Sequence, residues 1–300
     1  MSKAAAGGKK KSRLGSNDIS FKFLVLPSFI LLFVLTIVPL IYSIVISLFD
    51  YSFMMPDKIR FIGFGNFIRA FEDSSFIHSL GVTAIQVVAT VALQMVCGML
   101  FALLLSRDFR GAKLIRAIYI IPMMITPVVV GLMWRMLFNT DMGMINYLLS
   151  LVNIPAVNWL GEGNVALLTV ILADVWLSTP FVATILLAGI QGISRDYYEA
   201  ATVDGANAVQ SFFSITLPLV KPMILIALLF RVMDAIKRFD SIYVMTAGGP
   251  GNSTETLNLY AYQQAFNNWY IGYSAALSFL MLIVIFALSA FILARMNKNN

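Results

Sequence analysis

One cysteine, one histidine and few charges are the first constraints on this 300-residue chain. A lone Cys97 builds no disulfide framework, and it says nothing of the redox compartment. With His78 as the only histidine, no His/Cys cluster has the spacing of a metal site. The glycine pairs Gly7-Gly8 and Gly248-Gly249 lack the Gly-Lys-Ser/Thr ending of a phosphate loop, so ATP is not bound here in that way and energy must come from a partner. No enzyme signature is present. Charged residues make up 12% of the chain, about half the share of a soluble globule. What stands in their place is hydrocarbon: 59% of residues are hydrophobic, and the mean hydropathy is +0.84.

The apolar residues gather in runs at about 23–49, 80–105, 117–138, 165–187, 222–247 and 273–294. Each is long enough to cross a hydrocarbon layer of about 30 Å as a helix. The runs are continuous rather than alternating at period two, which excludes a β-barrel. The fold class is therefore an all-α polytopic membrane protein of six transmembrane helices. The first run is too long for a signal-peptide core and lacks a small-residue cleavage site, so it is read as a retained helix. Before it, residues 1–22 are rich in Lys, Gly and Ser and read as a disordered basic tail; 296–300 form a second short tail.

Formal charge is +6, but the basic residues sit at helix ends, so they set orientation and are no footprint of nucleic acid. Fourteen of the 21 Lys and Arg fall in the N-terminal tail, the 107–116 link, the 192–221 loop and the C-terminus; three fall in the opposite loops, and 139–164 has none. That bias places both termini and the 192–221 loop in the cytoplasm. His78 then lies in the external loop 50–78, at a helix start or an interface.

Two places carry chemistry. The first is Glu199-Ala200-Ala201, then Asp204-Gly205, then nine residues, then Ile215-Thr216-Leu217-Pro218. Asp196 and Glu199 suit a helix start, Gly205 suits a turn, and Pro218 and Pro222 suit the start of the next apolar run. The expectation is a short helix, a turn and a second short amphipathic helix on the membrane surface.

The second is the run of Arg231, Asp234, Lys237, Arg238 and Asp240 within the fifth span, facing Asp174 in the fourth. Charges at the bilayer centre are expensive and mark function by default. At about 1.5 Å per residue, Arg231 lies roughly 14 Å beyond Pro222, and Asp174 lies equally deep from Val165. Asp174, Arg231 and Asp234 either hold helices together as an intramembrane charge cluster or line a water-filled cavity that binds solute hydroxyls; the residues leave both open. Lys237, Arg238, Asp240 and Arg135 lie within snorkelling reach of the interface. Trp176 either packs between helices or stacks on a sugar ring.

The spacing from Glu199 to Pro218, with all seven fixed positions in register, resembles the cytoplasmic-loop signature of binding-protein-dependent ABC importer permeases. The stretch from Phe239 through Gly248-Gly249-Pro250-Gly251 to Thr256 resembles the carbohydrate permeases of the maltose-transporter type. The resemblance spans about 23–295 and is to the shorter six-span form, without extra N-terminal helices or a large external domain. It implies a type I ABC importer permease fold in a bacterial cytoplasmic (inner) membrane. It implies a second homologous permease subunit, two ATPase subunits that bind ATP and Mg, an extracytoplasmic solute-binding protein and a carbohydrate substrate. Glu199, Ala200, Ala201, Asp204, Gly205, Ile215, Leu217 and Pro218 would form the coupling contact with the ATPase. The family's sugar-lining positions fall on Trp176, Leu177, Ser178 and Phe181 and on Arg231, Asp234, Ala235 and Arg238. The maltose permease is uncharged where this chain has Arg231, Asp234 and Arg238, which argues against maltose itself and keeps open an acidic sugar or phosphorylated polyol. A stand-alone secondary transporter is the remaining alternative; it would show repeat symmetry, and none is visible.

Overall fold

The computed structural model describes residues 17–107 and 109–297. Residues 1–16, Asp108 and 298–300, which include most of the expected N-terminal tail, lie outside the described residues. The first helix, α1 (Asn17–Ser47), starts inside the expected tail, and the last helix runs past 294 to Asn297. Among the described residues, five helices are long and apolar enough to cross a membrane, and the count is six when one bent helix pair is taken as a single span. Only helices satisfy every backbone group within one segment, which is what lipid demands.

After α1 the chain makes a two-strand ribbon, β1 (Phe49–Asp50) against β2 (Arg60–Phe61), and a short helix, α2 (Gly65–Glu72). Asn66 locks this external corner by donating Nδ2 to the carbonyls of Ser47 at 2.8 Å and Phe49 at 2.9 Å. Helix α3 (Ser74–Ser106) begins six residues before the expected second span, because Asp73 caps it by accepting from the Ser75 N–H at 2.9 Å. His78 therefore sits on the first turns of α3, not in a loop, with Nε2 3.1 Å from the Asn252 carbonyl.

The third span is not one helix. It is α4 (Ala112–Met124) and α5 (Pro127–Leu137), bent by 99°. Pro127 has no N–H and disfavours helical geometry at the residue before it. Thr126 accordingly has ψ 142° and Ile125 ψ 139°, so the chain runs extended for two residues at the corner. A short helix, α6 (Met144–Leu151), follows, and then α7 (Gly163–Gln191).

Helix α7 lies along α3 as the central pair of the bundle. The two backbones touch at Gly98, where any Cβ would come 2.6 Å from Val182 Cγ1. Ala102, Val182, Leu186 and Val220 fill the space below this crossing.

The cytoplasmic-loop sequence forms α8 (Arg195–Val203), then a turn, then α9 (Ala208–Ser211). Helix α9 runs through a π-turn at Phe212–Thr216 directly into α10 (Leu217–Ile236). The second expected surface helix is thus the first turns of the fifth span. That span ends at Ile236 rather than near 247; a break at Lys237–Phe239 leads to α11 (Asp240–Thr246). The external segment before the last span holds α12 (Leu257–Phe266), whose Leu257, Leu259, Tyr260 and Ala261 are buried. Helix α13 (Ile271–Asn297) closes the bundle and packs against α1.

Candidate translocation site and coupling surface

Arg231 reaches inward from α10 between α3 and α7. Its Nε donates to Gln94 Oε1 at 2.8 Å, and Nη1 meets Asp234 Oδ2 at 2.6 Å. Its Nη2 lies 3.6 Å from Asp174 Oδ2. Arg238, two turns further along, meets Asp234 Oδ2 at 2.9 Å and Asp174 Oδ1 at 3.1 Å with the same Nη2. Two guanidinium groups and two carboxylates form one compensated cluster. Gln94 steadies it from the third helix, donating Nε2 to the Asp174 backbone carbonyl at 3.0 Å. The Ser178 hydroxyl lies 3.3 Å from both Asp174 Oδ1 and Arg238 Nη2.

Burial divides the cluster. The side chains of Asp174 and Arg231 are 1% and 4% exposed, whereas Asp234 is 50% exposed and opens onto a cavity of about 480 Å³. Leu177, Ser178, Phe181, Arg231, Asp234 and Arg238 line that cavity, together with Met123, Ile125 and Pro127 from the corner of the third span and with Lys237. Two of the sequence-picked positions do not reach it. Trp176 stands edge-on to Trp134 at 5.8 Å, next to the Trp134–Phe138 stack, and Ala235 is buried beside Val87 and Val91.

Arg135 is exposed, and its Nη1 donates to the Val244 carbonyl at 3.1 Å. Lys237 is exposed, and its carbonyl accepts from Asn258 Nδ2 at 2.8 Å, tying the break after α10 to α12. The partner that sequence reasoning missed is Gln94. Its signal was a Gln inside the second apolar run, at a depth comparable to that of Arg231.

At the other end of the molecule, α8 buries no residue. Glu199, Ala200 and Asp204 are exposed, Ala201 is half-buried, and Val203 is 87% exposed. Ser194 caps the helix, and Gly205 ends it at φ +83°, a conformation that costs other L-residues energy. Asn207 and Gln210 then form a reciprocal capping box at 2.8 and 2.9 Å, which restarts the chain as a helix. Tyr198 pins α8 to the base of the fifth span through a 2.9 Å bond to Thr216 Oγ1. Ile215 and Leu217 are half-buried and Pro218 is exposed on that same base. Helix α8 thus presents a largely exposed surface, tied to the base of the fifth span through Tyr198.

At the opposite end of the bundle from α8, Asp73 Oδ2 accepts from the Tyr273 hydroxyl at 2.7 Å and from the Tyr260 hydroxyl. Burial opposes the Asp73 carboxylate, but these hydroxyls and the Ser75 and Phe76 amides outweigh it and hold the carboxyl below its ordinary value. Close by, burial raises the Glu255 carboxyl above its ordinary value; His78 partly offsets that and Asp73 adds to it.

Residues 94–299 match the family of binding-protein-dependent transport system inner membrane components. The chain belongs to that family. Two relatives support the assignment over nearly full length. The probable ABC transporter permease protein y4oQ of Sinorhizobium fredii is 43% identical, over 87% of this chain and 85% of its own. The trehalose/maltose transport system permease protein MalF of Thermococcus litoralis is 37% identical, over 87% of this chain and 88% of its own. The fold of the permease is also that of a chain in a bacterial ABC transporter involved in the import of the acidic polysaccharide alginate. That match has a TM-score of 0.81 at 22% identity and covers 94% of the permease and 98% of that chain. The bent pair and the five long helices thus make up an ABC importer permease fold.

Proposed function

We propose that this permease is one membrane subunit of an ATP-driven, binding-protein-dependent importer of neutral carbohydrate: a disaccharide, oligosaccharide or sugar alcohol. Both termini and α8 face the cytoplasm of a bacterial cell. A second homologous permease supplies the other half of the pathway, and an extracytoplasmic protein delivers solute. Two ATPase subunits, which bind ATP and Mg²⁺, grip α8, with Glu199 making a charged contact and Gly205 permitting the turn.

The observation that carries the substrate class is the pairing of both guanidinium groups in the cavity wall. Arg231 and Arg238 are already tied to Asp174 and Asp234. Neither guanidinium stands free to grip a carboxylate or phosphate in the bidentate way, and the lining cation outside the cluster is one exposed lysine, Lys237, which supports a neutral over an acidic sugar. The half-exposed Asp234 and the Ser178 hydroxyl are placed to exchange hydrogen bonds with sugar hydroxyls, and the apolar walls at Leu177, Phe181 and Phe230 suit the faces of sugar rings. A volume of about 480 Å³ falls within the usual range for small-molecule sites.

Reconstituted transporter with its binding protein, assayed for ATP turnover across neutral and acidic sugars, tests this reading. Stimulation by neutral sugars, lost in Glu199→Lys and Gly205→Trp, is the expected result. Stimulation by acidic sugars alone refutes the substrate class. Solute flux that persists without the ATPase subunits refutes the importer reading and favours a stand-alone transporter.

A further inference from the structure

The buried face of α3 carries a polar column where a helix turned into a membrane bundle is ordinarily apolar. Ser79, Thr83, Gln86, Thr90 and Gln94 follow one another three or four residues apart, which sets them along one side of the helix. All are buried; Gln86 is 1% exposed, and Thr90 and Gln94 are 0%. The neighbouring buried positions Val82, Val87 and Val91 are apolar, so the polar atoms form a distinct stripe.

The two ends of the stripe are satisfied. Ser79 and Thr83 donate to the carbonyls of Phe76 at 2.9 Å and Ser79 at 2.7 Å, and Thr83 Oγ1 accepts from the Leu257 N–H at 2.7 Å. Gln94 is bonded to Arg231 and to the Asp174 carbonyl, as described above. The middle is not: Gln86 Nε2 and Oε1 and Thr90 Oγ1 have no hydrogen-bond partner within the chain. Orphaned atoms continue the line in both directions. Thr256 Oγ1, beside Leu257, is one at the outer end; Asp174 Oδ2 and Arg231 Nη2 are the others at the inner end.

Buried amides and hydroxyls surrounded by hydrocarbon are not left unpaired, because the cost of desolvating them is then uncompensated. Neither solute nor a partner subunit can supply the missing bonds, since the atoms are sealed inside this chain. The ligand must be of water's size and must both donate and accept. We propose that α3 holds a column of ordered water molecules. It runs along Gln86 and Thr90 from Thr83 and Thr256 at the external end to Gln94, Arg231 and Asp174 at the charge cluster. A water beside this pair, about 2.8 Å from each atom, completes the hydrogen bonds of Asp174 Oδ2 and Arg231 Nη2, which stand 3.6 Å apart. The pair is then hydrated from behind, in addition to its bonds to Asp234, Arg238 and Ser178 at the cavity.

The test is a structure of the complete transporter, with its partner subunits, at a resolution that shows water. Peaks are expected within about 3.2 Å of the Gln86 amide and of Thr90 Oγ1, each with at least two polar neighbours. Side chains bonded to protein atoms instead, or lying beside space without peaks, overturn the proposal, as does a peak ringed by five or more oxygens, which would be a cation. A second measurement does not depend on resolution. In a hydrated column, Gln86→Leu and Thr90→Val each break a bonded network, and each lowers the thermal midpoint of the assembled transporter by about 2–4 °C. Unchanged or raised midpoints identify dry polar groups and refute the water column.

Discussion

Asp174→Asn is expected to destabilise the permease far more than Asp234→Asn, although each carboxylate faces the same two guanidinium groups. Asp174 meets Arg238 at 3.1 Å and Arg231 at 3.6 Å; Asp234 meets them at 2.9 and 2.6 Å. At an effective dielectric constant of about 20, charges at such spacings attract by roughly 5 kcal/mol, and desolvation takes back several kcal/mol per ion. The net worth of either pair is therefore small, and the decisive quantity is what each substitution leaves behind. Without Asp174, side chains of Arg231 and Arg238 that are 4% and 9% exposed retain only one carboxylate, itself half in water. Stranding buried charge in this way costs about 3–5 kcal/mol. For a cooperative unit of 300 residues, that lowers the thermal midpoint by about 5–8 °C. Without Asp234, water already screens the gap, and the cost is about 0–1 kcal/mol. Asp174→Asn combined with Arg238→Gln removes one charge of each sign and is expected to recover part of the loss. Thermal unfolding of the reconstituted transporter reads all three variants. Equal losses at the two aspartates, or no recovery in the double variant, would show that burial does not govern the cluster.

Asp234→Asn is instead expected to change selectivity. It frees guanidinium donors toward the cavity and should raise uptake of a uronic acid relative to a neutral sugar by about tenfold; an unchanged uptake ratio would remove Asp234 from the solute path. At Gly205 a Cβ meets nothing within 4 Å, so a substitution there tests only the φ of +83°. Solute-stimulated ATPase should fall for Gly205→Ala, fall further for Gly205→Val and be largely kept for Gly205→Asn, which tolerates the left-handed region. Equal losses in all three would point to a contact at that spot rather than to backbone strain. Glu255 is an acid whose folded-state value is raised above 4.5 by burial, so the folded state favours its protonated form. Stability is then gained as pH falls from neutral through that raised value, and Glu255→Gln should abolish this slope and raise the midpoint near pH 7. Asp73 acts in the opposite sense and in a different window. Its lowered value contributes stability above the ordinary 3.8 that is lost only as pH falls below it, so it is silent while Glu255 titrates. A wild-type midpoint that does not rise as pH falls from neutral toward the ordinary 4.5 would contradict the Glu255 assignment.

The charge cluster was legible in the sequence because Arg and Asp inside apolar runs are conspicuous and helix rise alone brings Asp174 level with Arg231. Gln94 was less conspicuous, since it shares its run with Thr83, Gln86 and Thr90 and carries no charge to mark it. The seven loop positions disclosed α8 and its turn, but not that Ile215–Pro218 lead straight into α10. Asn207 and Gln210 restart a helix there through a capping box, which needs only local residues and could have been read.

The bends in the third and fifth spans could not be read from either span alone. Pro122 and Pro127 are equally compatible with a kinked helix and with a broken one, and after Arg238 the fifth run resumes at Ile242 with only Phe239-Asp240-Ser241 between. What decides both is one long-range contact. Helix α5 has 11 residues and α11 has 7, each too short to cross alone. They lie against one another so closely that a Cβ on Gly131 would come 3.1 Å from the Ser241 backbone. Arg135 seals the pairing through the Val244 carbonyl, more than 100 residues away in sequence. Each half-helix thus gives the other the neighbour it needs to leave its span. The bend in α4–α5 in turn carries Met123, Ile125 and Pro127 to the wall of the cavity beside the charge cluster. A substitution at Gly131 is therefore a perturbation of the cavity, made from a residue that does not line it.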